Sequence, residues 1–103
     1  MKVDVDVSSV LKALAEPLRW RIVVALADEE LCVCHLVEDL DAPQPLISHH
    51  LRVLREAGLV ESEKWRYWTY YRLRANALAT LAGQLDELVS SCPPVSEQRR
   101  PCC

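Results

Sequence analysis

The spacing of apolar residues changes once along this chain, at Gly58, and that change limits the folds open to it. Before Gly58, apolar residues recur at three- and four-residue steps, the period of helices buried by one face. After it, β-branched and aromatic residues crowd into two short runs. Val7, Val10, Leu11 and Leu14 predict a first helix, with Ser8 and Ser9 as candidate caps. Pro17 suits the first turn of a second helix, whose inward face is Leu18, Ile22, Ala25 and Leu26 and which Asp28-Glu29-Glu30 ends. A short third helix is expected from Cys34 to Leu40. Asp41-Ala42-Pro43 reads as a turn, and Pro45 opens a fourth helix to Ala57 with Gly58 as its stop. Leu59 to Lys64 and Tyr67 to Leu73 form the hairpin, and five of the six aromatic residues fall between Trp65 and Tyr71. Leu78, Leu81, Leu85, Leu88 and Val89 predict a fifth helix from about Asn76 to Ser91, ended by Cys92-Pro93-Pro94.

This order describes a mainly α chain with a β-hairpin wing, an α+β winged helix-turn-helix. The apolar face of the last helix needs a partner, and in so small a domain a second protomer supplies it, so a homodimer is expected. Residues 1–91 are expected to form the DNA-binding and dimerisation domain, and 92–103 a flexible tail carrying cysteines.

With 103 residues, half of them apolar, the chain has material for one core. No run of eighteen apolar residues suggests a membrane span, and Met1 to Asp6 alternates acidic and aliphatic residues unlike a signal peptide. The expected compartment is the cytoplasm, where thiols stay reduced. Five cysteines, an odd number, argue against a fully paired disulfide framework. No nucleophile–base–orienter set and no glycine-rich phosphate loop is visible, and two glycines leave little for one. Neither an enzyme nor an organic cofactor is expected.

The net charge of −3 is unevenly spread. Residues 1–41 carry four basic and nine acidic side chains, a net of −5, whereas residues 42–74 carry six basic and three acidic, a net of +3. The fourth helix lies in that electropositive stretch. Its Ile47, Leu51 and Leu54 make a core stripe, and Gln44, Ser48, Arg52 and Arg55 make another facing away. Arginine pairs with guanine, glutamine with adenine, and serine and histidine hold phosphates, so double-stranded DNA is the expected partner. Lys64 and Arg66 sit near the hairpin tip and suit the DNA backbone or minor groove. Adjacent helical residues point about 100° apart, so His49-His50 makes a poor chelate. His50 lies beside the apolar stripe and is expected to pack or hydrogen-bond, and His49 to face DNA.

Cys32 and Cys34 straddle the expected start of the third helix. Thiolates favour soft, thiophilic ions. Two residues apart in a regular helix, the sulfurs project about 200° apart, and one small ion would have to unwind the turn to reach both. Such unwinding would misplace the following helix. The plainer alternative is that both are small buried apolar residues.

Leu14-Ala15-Glu16-Pro17-Leu18-Arg19, Glu30-Leu31-Cys32-Val33-Cys34-His35-Leu36, Gln44 to Val60, and Tyr70-Tyr71-Arg72-Leu73 together resemble the ArsR/SmtB family of metalloregulatory repressors, over about residues 7–90. The resemblance implies a homodimer, joined through first and last helices, that binds a palindromic operator and leaves it on binding an inducer. It also implies that Gln44, Ser48, His49 and Arg52 lie on the recognition helix. The resemblance is greatest to the arsenical-resistance branch, where Cys-Val-Cys holds As(III) or Sb(III) and a third nearby cysteine completes a trigonal sulfur site.

Val37 stands where that third ligand is expected, so the third sulfur would come from Cys92, Cys102 or Cys103, in the same chain or the partner's. Two sulfurs plus a small ligand is the alternative. His35 stands where the family usually has an acidic residue and could assist. The zinc-sensing branch uses histidine and carboxylates on the last helix, which here has only Asp86 and Glu87; the cadmium/lead branch adds cysteines that residues 1–31 lack. The glycine usual at the hairpin turn is missing, and a wider turn is expected. The resulting expectation is a repressor released by As(III) or Sb(III). The alternatives are a cadmium/lead, zinc or thiol-redox sensor of the same fold, or a thiol protein that only sequesters soft ions.

Overall fold

A computed structural model describes residues 6–94. Five helices and a small sheet follow one another as α1 (Val7–Ala15), α2 (Pro17–Asp28), β1 (Leu31–Cys32), α3 (Val33–Leu40), α4 (Gln44–Glu56), β2 (Val60–Trp65), β3 (Trp68–Leu73) and α5 (Ala75–Ser91). The winged helix-turn-helix is therefore present, with one strand more than the sequence pattern suggests.

Each helix begins and ends for a local reason. Asp6, rather than Ser8 or Ser9, caps α1: its carboxylate accepts from the Ser8 N–H at 3.1 Å and the Ser9 hydroxyl at 2.8 Å. The two serines occupy the first turn, and the longer acid reaches back to its free N–H groups. Glu16 caps α2 by accepting from the Arg19 N–H at 2.9 Å, with Pro17 in the first turn. Asp41 ends α3 in a left-handed conformation, φ 52°, and starts the turn into α4. Gly58, at φ 80°, ends α4, a conformation that a side chain would strain.

The core lies where the helical faces meet the sheet. Val10, Ile22, Leu36, Ile47, Leu51, Leu54, Leu59 and Val60 are fully buried, so α1 to α4 and the root of β2 share one apolar cluster. The sheet is antiparallel in the order β1-β3-β2. Leu31 pairs with Tyr71 and Cys32 with Tyr70, which fastens the segment before α3 to the wing. Pairing of β2 with β3 runs from Val60↔Leu73 to Trp65↔Trp68.

That last pair leaves only Arg66-Tyr67 to turn the chain. The turn is tight, contrary to the wider one expected without glycine, because Arg66 takes φ 59° itself. No helix among the described residues is long and apolar enough to cross a membrane.

Candidate nucleic-acid interface and thiol site

Helix α4 separates its two stripes as the spacing requires. Ile47, His50, Leu51 and Leu54 are buried; Gln44, His49, Arg52 and Arg55 are exposed, and Ser48 is half-buried. The exposed residues lie on the side away from the core. Arg55 also donates from Nη1 to the Ser62 hydroxyl at 3.3 Å, tying the far end of α4 to the root of the wing. At the wing tip Lys64 and Arg66 are exposed, and the Arg66 guanidinium lies 4.9 Å from the Trp65 ring centroid.

Not every cation of the basic stretch is available to a polyanion. Arg72 contacts Glu61 at 2.7 Å, Glu63 at 2.8 Å and Glu30 at 3.7 Å. Its bond to Glu61 raises the pKa of Arg72 and lowers that of Glu61. Arg72 is thus a structural cation paired with the acids of the wing, which leaves Arg52, Arg55, Lys64, Arg66 and Arg74 as the other cations of residues 42–74. The sequence reading counted Arg72 in the net charge but could not see this pairing.

His50 packs and hydrogen-bonds, as its position beside the apolar stripe implies. It is 6% exposed. Arg19 Nη1 lies 3.0 Å from Nδ1, and Glu16 lies 3.8 Å from Nε2. An arginine can only donate, so Nδ1 accepts and the proton sits on Nε2, facing the carboxylate. Burial lowers the His50 pKa; Glu16 opposes this, while Arg19 and His49 reinforce it. The same Arg19 donates from Nε to the Ala13 carbonyl at 2.7 Å and from Nη2 to that of Lys12 at 3.4 Å. One side chain therefore joins the end of α1 to the middle of α4. Sequence reasoning missed this role, although Arg19 closes the Leu14–Arg19 motif.

Cys32 ends β1 and caps α3, with extended backbone angles of −91° and 170°. It is 5% exposed, whereas Cys34, in the first turn of α3, is exposed. The two thiols do not share a regular helix, as the 200° argument assumed; they lie on either side of a junction, one inward and one outward. His35 Nδ1 sits 3.3 Å from the Cys32 sulfur and 3.4 Å from the Cys32 backbone N–H. Nδ1 thus accepts from that N–H and lies within hydrogen-bond reach of the thiol. Val37 is half-buried against the core. Cys92 is exposed beyond α5, its thiol donating to the Leu88 carbonyl at 3.2 Å. Cys102 and Cys103 lie outside the described residues. Among the described residues no three His, Cys, Asp or Glu side chains converge on a metal site, so Cys92 is not brought together with Cys32 and Cys34 within one protomer.

Among the described residues, apolar side chains of α1 and α5 are left exposed. Leu11 of α1 and Leu85, Leu88 and Val89 of α5 are between 48% and 71% exposed. Helix α5 packs on α1.

Three comparisons bear on these arrangements. The profile described as bacterial regulatory protein, arsR family, matches residues 16–62. The chain is 46% identical over 77 residues to the arsenical resistance operon repressor of Escherichia coli K12, covering 74% of this chain and 66% of that one. It thus spans just under two thirds of that relative. Among solved structures it is similar to a possible transcriptional regulator for arsenical resistance, with a TM-score of 0.67, 39% identity, and coverage of 82% of this chain and 96% of that one. It is also similar to the homodimeric winged helix-turn-helix DNA-binding domain of a possible ArsR-family regulator from Mycobacterium bovis. There the TM-score is 0.68 and the identity 29%, over 82% of this chain and 77% of that one.

Proposed function

This chain is a transcriptional repressor of the arsR family of bacterial regulatory proteins, DNA-binding and not an enzyme, and we propose that As(III) or Sb(III), taken up at Cys32 and Cys34, releases it from its operator. The proposal rests on one observation above all: the buried thiol of Cys32 stands at the junction of β1 and α3, and the second thiol of the pair stands outside it. An ion gripping both sulfurs must draw Cys32 outward or turn the first turn of α3. Either motion pulls on two structures at once. Helix α3 leads through the Asp41 turn to α4, and Cys32 is paired with Tyr70 of the wing. Ion binding would then disturb the recognition helix and the wing together.

The homologue in Escherichia coli is named for arsenical resistance, and sulfur-rich coordination suits a soft trivalent ion over hard or borderline ones. A third sulfur would come from Cys92 of the partner protomer, from Cys102 or Cys103 of either protomer, or be replaced by a small ligand. The protomer works as a homodimer, with the apolar residues of α1 and α5 covered by a second copy. On DNA, Gln44, Ser48, His49, Arg52 and Arg55 face the major groove, and Lys64 and Arg66 the adjoining backbone. The cytoplasm, which keeps thiols reduced, is the fitting compartment.

The test is titration of the protein–operator complex with arsenite, antimonite, zinc and cadmium in turn. Arsenite and antimonite should dissociate the wild-type complex at the lowest concentrations, and Cys32→Ser and Cys34→Ser should bind the same DNA yet hold it throughout. Normal release by both variants overturns the assignment. Release of the wild type by zinc or an oxidant, but not by arsenite, would move the protein to another branch of its family.

A further inference from the structure

Tyr67 is 92% exposed, the most solvent-exposed of the large apolar side chains among the described residues. An aromatic ring left in water contributes little to the fold, and this one sits in the two-residue turn at the wing tip. We propose that Tyr67 is a wedge carried by the wing into the minor groove next to the major groove that α4 occupies. By prying at a base step there, it makes the protein prefer easily deformed sequence outside the half-site. The inference rests on the DNA-binding reading and concerns how the wing contributes to it.

Three features of the tip fit it for this task. Its reach is right: six residues of β2 extend about 20 Å, and half a turn of duplex, the offset from one groove to the next, is about 17 Å. Arg55 of α4 holds Ser62, the third residue of β2, so the rest of the strand and its turn project beyond that tie. Its charge is right: Lys64 and Arg66 are exposed at the same end of the hairpin. Its stiffness is right as well. Strand pairing continues to Trp65↔Trp68, the turn has only two residues and no glycine, and Arg66 rests on the Trp65 ring. A tip already ordered loses little entropy on docking. A ring without charge gains little from phosphates, whereas apolar side chains wedged between base pairs act by unstacking them. Pyrimidine–purine steps yield to such prying most readily.

Duplexes enriched from a random-sequence pool by the wild-type protein provide the probe. Tyr67→Ala, with an unchanged melting temperature, should enrich the same central half-sites but lose any preference at the flanking step. Its affinity for the wild-type duplex should fall about 5- to 100-fold. The dependence of that affinity on salt should stay the same, because no cation has been removed. Tyr67→Arg should bind with a salt dependence steeper by about one released ion and still lack the flanking preference. A 2-aminopurine at the flanking step should brighten with wild-type protein and not with Tyr67→Ala. If the wild type enriches half-sites and Tyr67→Ala matches it in affinity and flanking preference, the wedge is overturned alone. If the wild type enriches no sequence, the DNA-binding reading falls and takes the wedge with it.

Discussion

Replacing Arg19 by alanine removes three contacts in one step: those to the carbonyls of Lys12 and Ala13 and that to His50 Nδ1. A hydrogen bond involving a charged partner contributes about 1.5–3 kcal/mol net, and leaving a buried acceptor unpaired costs about 1–3 kcal/mol. His50 is such an acceptor, and no buried side-chain nitrogen or oxygen among the described residues lacks a partner beforehand. Arg19 itself is only half-buried, and contributions within one network do not add. The expected loss is therefore about 2–4 kcal/mol, or about 10–25 °C in melting temperature for a domain of this size. Urea unfolding at fixed protomer concentration reads it. Arg19→Lys should recover part of the loss, since an ammonium can reach one acceptor but cannot span α1 and α4 as the guanidinium does. The cost of Arg19→Ala should also shrink by about 1–2 kcal/mol in a His50→Leu background, where no imidazole is left unpaired. A loss below about 0.5 kcal/mol, or one equally large in both backgrounds, refutes the strut.

Other consequences follow from the same geometry. The folded-state pKa of His50 lies below its ordinary value of about 6.5. The unfolded chain therefore takes up its proton first as pH falls, so stability is full above about pH 6.5 and declines below it; His50→Gln should flatten that decline in urea midpoints measured between about pH 7.5 and about pH 5.5. Cys32→Ser exchanges a buried thiol for a better helix cap, a gain of about 1 kcal/mol, against about 1–3 kcal/mol for burying a hydroxyl. It should be destabilised by no more than about 2 kcal/mol, and exposed Cys34→Ser by less than about 0.5 kcal/mol, so their loss of arsenite response in thermal and DNA-release assays is not a loss of fold. Leu88→Glu, on the unpartnered face of α5, removes an apolar contact worth about 2 kcal/mol from each copy. That is near a thousandfold in dimer dissociation, visible as monomer in sedimentation; an unchanged dimer would show that α5 is not the interface.

Much of this was legible because the helices are governed by local signals. Pro17, Pro45 and Gly58 mark ends by backbone geometry alone, and the stripe of Ile47, Leu51 and Leu54 falls on one side of any helix that carries it. What escaped was decided by contacts between distant segments. A strand of two residues, Leu31–Cys32, has no alternation to read and exists only because Tyr70 and Tyr71 offer an edge. That strand fixes Cys32 as a buried N-cap ahead of α3, which sets how the two thiols stand to each other. The turn at Arg66-Tyr67 is tight because an arginine accepts the left-handed conformation that glycine would take, and composition alone points the other way. Asp6 outcompeted Ser8 and Ser9 as a cap by carrying two oxygens, one for each serine. The pairing of Arg72 with Glu30, Glu61 and Glu63 depends on strand register and is invisible before it is known.

The central claim is that an ion held by Cys32 and Cys34 moves the junction of β1 and α3. Amide hydrogen exchange, residue by residue, with and without one equivalent of arsenite, tests it most directly. Exchange at Leu31, Cys32, Tyr70 and Tyr71 and in the first turn of α3 should quicken on arsenite binding, while Leu51 and Leu54 in the core of α4 stay protected. Arsenite that binds and frees the DNA while leaving exchange at those residues unaltered would contradict the account.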